Sequence, residues 1–177
     1  MRQKVSASLR DALVGEMTNL RAFAVSLCGD RERADDLVQE TLFKAWNHLD
    51  LFREGTNLKA WLFTILRNTY FSERRKRRRE VEDADGKFAA QLASMPEQHG
   101  HMEMQDFRAA LTQLPADQRE ALILVGAAGF SYEEAAEISG CAVGTIKSRV
   151  NRARNRLGEM LGLDESSDAT FVMPKSA

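Results

Sequence analysis

The side chains in this chain best placed for chemistry are cations. From Lys147 to Arg156 there are five of them (Lys147, Arg149, Arg152, Arg154 and Arg156) and no acidic residue. A helix carrying such a run can neutralise phosphates on both sides of a groove while polar neighbours reach base edges. Thr145, Ser148, Arg149, Arg152 and Arg156 fall on one helical stripe. Ile146, Val150, Ala153, Leu157 and Met160 recur at steps of four, three, four and three on another, which therefore faces a core. A merely solvated basic helix is the alternative, but solvated faces usually mix both signs. Upstream, Ser131 and Glu134 have the spacing of a capping box and open a short acidic helix. A Gly-containing turn follows, and the basic helix begins near Gly144. This is helix-turn-helix spacing, which sets the second helix in a DNA major groove.

Other chemistry finds little footing. Cys28 and Cys141 stand alone, without a CxxC or a Cys/His cluster, so neither a metal site nor a disulfide is expected and both read as small buried hydrophobes. His48, His99 and His101 have no plausible nucleophile beside them. With no Gly-rich phosphate loop and no paired carboxylates, the sequence supports neither catalysis nor a cofactor, and no small-molecule substrate is expected.

The 177 residues, 44% hydrophobic and 29% charged, suffice for one medium domain or two small ones and argue against disorder throughout. A net charge of −1 hides strong segregation: Arg67–Glu80 holds seven basic and two acidic side chains, and with Lys147–Arg156 it contains twelve of the 25 Lys and Arg. No apolar run reaches the length of a membrane span, and the N-terminus lacks a signal-peptide core, so a cytoplasmic protein without a membrane partner is expected.

Helical periodicity runs through nearly everything outside the loops. Val5 to Leu27 reads as one amphipathic helix ended by Gly29. Asp30 can cap a second helix, to about Leu49, whose core stripe is Ala34, Leu37, Val38, Leu42, Ala45, Trp46 and Leu49. On another surface of it lie Asp36, Gln39, Glu40, Phe43 and Asn47. An aromatic ringed by carboxylates suits an interface with a basic protein partner, unless Phe43 simply packs on a neighbouring helix. Asp50–Asn57 is a loop with Gly55 as turn residue and Asn57 as candidate cap. A third helix from Leu58 joins Trp61, Phe63, Tyr70 and Phe71 to Arg67, Arg74, Arg75 and the cations up to Arg79. Aromatics interleaved with cations suit a single strand, whose bases stack while its phosphates are tracked. Aromatics at helical spacing are more often core, however, and the apolar surface of this helix is Trp61, Leu62, Ile65 and Leu66, with Phe63 a further candidate. Trp61 is assigned to the core, and Asn68, with donor and acceptor on one amide, is the better candidate for an extruded base.

These helices form a first domain over residues 1–80. From Val81 to Phe107 there are six acidic residues and one Lys, with Pro96 and Gly100, which predicts a flexible acidic linker over 81–106, with a brief helix around Phe88–Leu92. Helices over Asp106–Leu114 and Pro115–Ala127 complete a second domain with the helix-turn-helix, over 107–163, and residues 164–177 read as a disordered tail. The expected fold class is all-α, with no strand.

Three ordered blocks carry a family resemblance: DRERADDLVQETLFKAW, FREGTNLKAWLFTILRNTYFSERRKRRRE and LPADQREALILVGAAGFSYEEAAEISGCAVGTIKSRVNRARNRL. Together they resemble regions two and four of an extracytoplasmic-function (group IV) bacterial sigma factor over about residues 8–163. The middle block is similar to the general-stress-response subgroup of alphaproteobacteria, EcfG. The resemblance implies that Asp36, Gln39, Glu40, Phe43 and Asn47 dock on the β′ clamp of RNA polymerase core, with the β flap as a further core contact. It implies that Phe52, Arg53, Asn57, Lys59, Arg67, Asn68, Arg74 and Arg75 handle the opened minus-10 element. Thr145, Lys147, Ser148, Arg149, Arg152 and Arg156 would meet the minus-35 element. It further implies a NepR-type anti-sigma factor, released by a PhyR-type response regulator. Cys141 and Ala142 depart from the family's usual Ser or Thr cap before the recognition helix, a loss of about 1 kcal/mol at the helix start. A stand-alone dimeric helix-turn-helix regulator would leave the Phe43 surface without a task. A sigma-mimicking adaptor would carry a phosphoreceiver domain and would not need the basic recognition helix.

Overall fold

A computed structural model describes residues 7–53, 55–83 and 102–162. Among these the regular elements are helices: α1 (Ala7–Gly15), α2 (Met17–Cys28), α3 (Arg31–Asn47), a 3-10 turn (Leu49–Leu51), α4 (Leu58–Asp83), α5 (Met102–Gln113), α6 (Ala116–Gly126), α7 (Tyr132–Ser139) and α8 (Val143–Leu161). The chain divides into two compact units, Met1–Met95 and Pro96–Ala177. The brief helix expected around Phe88–Leu92, most of the acidic linker and the 164–177 tail lie outside the described residues.

In the first unit, α2, α3 and α4 pack on one another. Gly29 closes α2 in the left-handed region (φ 70) with its N–H on the Val25 carbonyl. Asp30 then caps α3, its side chain accepting from the Arg33 N–H at 2.8 Å. The core holds Leu20, Phe23 and Leu27 of α2, Ala34, Leu37 and Ala45 of α3, and Leu62, Phe63 and Leu66 of α4. Phe23 and Phe63 stack at 4.8 Å between centroids. The single helix expected over Val5–Leu27 is interrupted at Gly15–Glu16. Glu16 stays right-handed (φ −84, ψ −8), so the break is slight, and a glycine is where a helix gives way most easily.

The aromatic side chains divide differently from their spacing. Trp46, expected in the core stripe, is 46% exposed, with the Arg10 guanidinium 5.7 Å from its ring centroid. Leu37, Val38, Thr41 and Ala45 fill the stripe instead, leaving Trp46 at its edge. Phe63 and Tyr70 are buried, so neither is available to stack a base. The Tyr70 hydroxyl donates to the Leu27 carbonyl at 2.9 Å, tying α4 to the end of α2 across 43 residues of sequence.

In the second unit, α6 packs on α8, and α5 and α7 close around them. Six consecutive residues of α6, Arg119 to Leu124, are buried. Helical period gives no warning of this, since Arg119 and Glu120 are charged residue types. Yet the Arg119 guanidinium donates to the Thr112 carbonyl at 3.3 Å, and Glu120 accepts from the Ser139 hydroxyl at 3.3 Å. Hydrogen bonds of this kind reduce the cost of burying a polar side chain. Cys28 and Cys141 are half-buried rather than buried.

Candidate nucleic-acid interface

The helix-turn-helix is built from local signals. The capping box at Ser131 is complete: the Glu134 N–H donates to the Ser131 hydroxyl at 3.1 Å, and the Ser131 N–H to the Glu134 carboxylate at 2.9 Å. Gly140, at φ 63, ends α7, and the Cys141 N–H reaches back to the Ala136 carbonyl at 3.1 Å. Ala142 caps α8 without a side-chain bond, its carbonyl accepting from Thr145 at 2.9 Å and Ile146 at 3.2 Å. Ile146, Val150, Ala153 and Leu157 are buried as their period requires, with Met160 half-buried.

The other face of α8 exposes Lys147, Ser148, Arg152 and Arg156, with Thr145 half-buried beside them. Arg152 lies along the helix, its Nε on the Ser148 carbonyl at 3.2 Å and its Nη2 on the Ser148 hydroxyl at 3.1 Å. Lys147 sits 5.8 Å from the Tyr132 ring centroid on α7. Arg149 differs. Its side chain is only 21% exposed, with Nε 3.2 Å from the Asp117 carboxylate of α6 and Nη1 3.7 Å from the Cys141 sulfur. Spacing groups it with the other cations and cannot reveal a partner 32 residues upstream.

In the first unit, Asp36, Gln39, Glu40, Phe43 and Asn47 are all exposed along one side of α3, Phe43 by 64%. Phe43 therefore lies largely outside the core. Trp46 extends this surface, a feature the sequence reading missed; its place one turn beyond Phe43 was the available signal. Asp35 beside it is taken up by Arg21 of α2 in a two-pronged pair, both contacts at 2.7 Å. Lys44 ties the surface to α4, with Nζ 3.2 Å from Glu40 and 3.2 Å from the Thr69 hydroxyl.

The loop before α4 is tightly wound. Thr56 donates from its hydroxyl to the Arg53 carbonyl at 2.7 Å, and Gly55 takes φ 87, which favours glycine. Phe52 packs on Trp61 at 5.2 Å between centroids, anchoring the loop, so Trp61 is half-buried rather than a full core residue. Asn57 caps α4, its amide oxygen accepting from the Ala60 N–H at 3.1 Å. Arg53, Asn68, Arg74 and Arg75 are exposed and Lys59 is half-buried against Phe63, 5.8 Å from its ring centroid. Arg67 stacks over Phe71 at 4.8 Å and donates to the Asn68 amide oxygen at 3.3 Å, which orients that amide at the surface. One face of α4 thus carries a surface amide, a half-buried aromatic under Arg67 and a ladder of exposed cations.

Among the described residues no helix is long and apolar enough to cross a membrane, and no group of three or more His, Cys, Asp and Glu is arranged to hold a metal ion.

Family models place both units in the sigma-70 class: Sigma-70 region 2 matches residues 16–80, and Sigma-70, region 4 matches residues 104–157. The ECF RNA polymerase sigma factor EcfG of Rhodopseudomonas palustris is 63% identical over 161 residues, 91% of this chain and 89% of that protein. The chain belongs to the ECF RNA polymerase sigma factors. Its fold matches the sigma factor RpoE of Bartonella quintana, solved in complex with the anti-sigma factor NepR, with a TM-score of 0.81, 57% identity and coverage of 90% of this chain and 99% of that one. The PhyRSL protein of Sphingomonas sp. Fr1, solved with NepR, shares the fold alone, at 20% identity and a TM-score of 0.65 over 96% of this chain and 95% of that one.

Proposed function

We propose that this sigma factor directs core RNA polymerase to the promoters of a general stress response and is held in check by a NepR-type anti-sigma factor. The chain acts in the cytoplasm, as an initiation factor and not an enzyme. Asp36, Gln39, Glu40, Phe43 and Asn47, with Trp46 beside them, dock on the β′ clamp. Phe52, Arg53, Lys59, Arg67, Asn68, Arg74 and Arg75 handle the opened minus-10 strand, with Asn57 holding the start of the helix that carries most of them. Thr145, Lys147, Ser148, Arg152 and Arg156 meet the minus-35 duplex, where exposed cations match phosphates and the Arg152 fork matches a guanine edge. The NepR assignment is supported by the 57% identical sigma factor solved with NepR.

The single observation that carries the reading is the exposed basic face of α8 in the same chain as the exposed Phe43 surface of α3. A sigma-mimicking adaptor has no use for the first, and a stand-alone DNA-binding regulator has none for the second. Run-off transcription with core polymerase on a promoter carrying a GGAAC-like upstream element, with and without a NepR-type protein, tests it. Transcript is expected only with both sigma factor and core, and it should fall on adding the anti-sigma factor. Promoter opening by the purified chain without core would refute the assignment.

A further inference from the structure

We propose that Asp117 sets the sequence-independent part of minus-35 affinity by holding Arg149 out of the groove, so that Arg152 reads DNA and Arg149 does not. This rests on the assignment of α8 as the minus-35 helix. Arg149 and Arg152 are three residues apart on one stripe of α8 and therefore neighbours on its surface. Their surroundings are opposite. Arg152 is exposed, and among the described residues its hydrogen bonds run to Ser148 on its own helix. Arg149 is drawn back against the protein by Asp117 at 3.2 Å and by the Cys141 sulfur at 3.7 Å.

A guanidinium at this point on a recognition helix is a strong ligand for either a guanine edge or a phosphate. Left free, it would add one sequence-independent phosphate contact and raise affinity for every duplex alike. The Asp117 carboxylate supplies a competing fork-shaped partner that travels with the protein. It removes a non-specific contact and leaves the readout to Arg152. The Asp117 side chain is 48% exposed, so water reaches the pair and Arg149 can leave it without opening the core. Asp117 acts through Arg149 and is a positioning residue, with no contact to DNA of its own.

Were the pair instead only a staple between α6 and α8, removing Asp117 would loosen the unit and weaken binding to every sequence. The two roles predict opposite signs for non-specific affinity, and a double-mutant cycle separates them. Holoenzyme made with wild type, Asp117→Ala, Arg149→Ala and the double variant is titrated on promoter fragments carrying the preferred or a scrambled minus-35 element, over a range of salt. With Asp117→Ala, affinity for the scrambled element should rise about threefold at low salt. The preferred element should gain by the same factor, leaving the ratio between the two elements unchanged, and for both the slope of log affinity against log salt should steepen by about 0.9, the value of one phosphate contact. In the Arg149→Ala background the Asp117 substitution should change nothing. Asp117→Asn, which keeps an acceptor in place without the charge, should fall between wild type and Asp117→Ala, and its thermal unfolding serves as the folding control.

Equal effects of Asp117→Ala with and without Arg149 would overturn the proposal, as would a parallel loss of affinity for both elements or an unchanged slope. Failure of wild-type holoenzyme to prefer any minus-35 element would instead overturn the assignment of α8 itself.

Discussion

Truncating Phe43 tests the first unit at its most informative atom group. A phenylalanine side chain offers about 200 Å² for burial, and with Phe43 64% exposed, about 130 Å² of it still faces water. At about 25 cal/mol per Å², full coverage by a partner is worth about 3 kcal/mol, and coverage of half that area about 1.5 kcal/mol. Phe43→Ala should therefore weaken assembly with core polymerase by about 10- to 100-fold, read as a shift in the dissociation constant by fluorescence titration. The free protein should barely notice, because the ring lies outside the core. A stability loss within about 1 kcal/mol lowers the thermal midpoint by no more than about 4–8 °C in a unit of this size. Phe63→Ala is the counter-case. That ring is 1% exposed and stacked on Phe23, and its loss should cost about 3–5 kcal/mol, enough to unfold a marginal domain. Unchanged assembly with Phe43→Ala would refute the docking surface, and destabilisation matching that of Phe63→Ala would return Phe43 to the core.

Tyr70→Phe removes the donor to the Leu27 carbonyl while keeping the ring, so it should cost about 1–3 kcal/mol and lower the urea midpoint without changing the slope of the transition. Ser131→Ala breaks the capping box and should cost about 1 kcal/mol, seen as faster amide exchange in the first turn of α7. Asn68→Ala should leave holoenzyme assembly intact and slow promoter opening, followed by 2-aminopurine fluorescence in the minus-10 element; equal loss of both would argue that Asn68 supports the fold.

Local physics made much of the molecule legible in the sequence. Gly29, Asp30, Asn57, Ser131 and Gly140 act at helix ends through bonds to residues only a few positions away, so their roles are written in the adjacent sequence. The buried stripe of α8 and the exposed run on α3 follow from helical period, which the chain carries residue by residue. Period says which residues share a face, however, not what that face meets. Trp46 has the spacing of a core residue, but α3 rotates so that Ala45 is buried and Trp46 lies at the rim. Arg119 and Glu120 are as polar as any solvated pair, and only the packing of α5, α7 and α8 around α6 encloses them.

The sequence by itself therefore determined the helices, their caps, the segregation of charge and the all-α class, because each depends on neighbours in the chain. Tertiary structure alone decided which cations are free. Arg149 and Arg152 are equivalent by type, spacing and charge, and they differ because folding brings Asp117 and Cys141 to Arg149, while among the described residues Arg152 bonds to Ser148 of its own helix. A side chain's availability depends on what lies across the fold, and a helical repeat does not encode that distance.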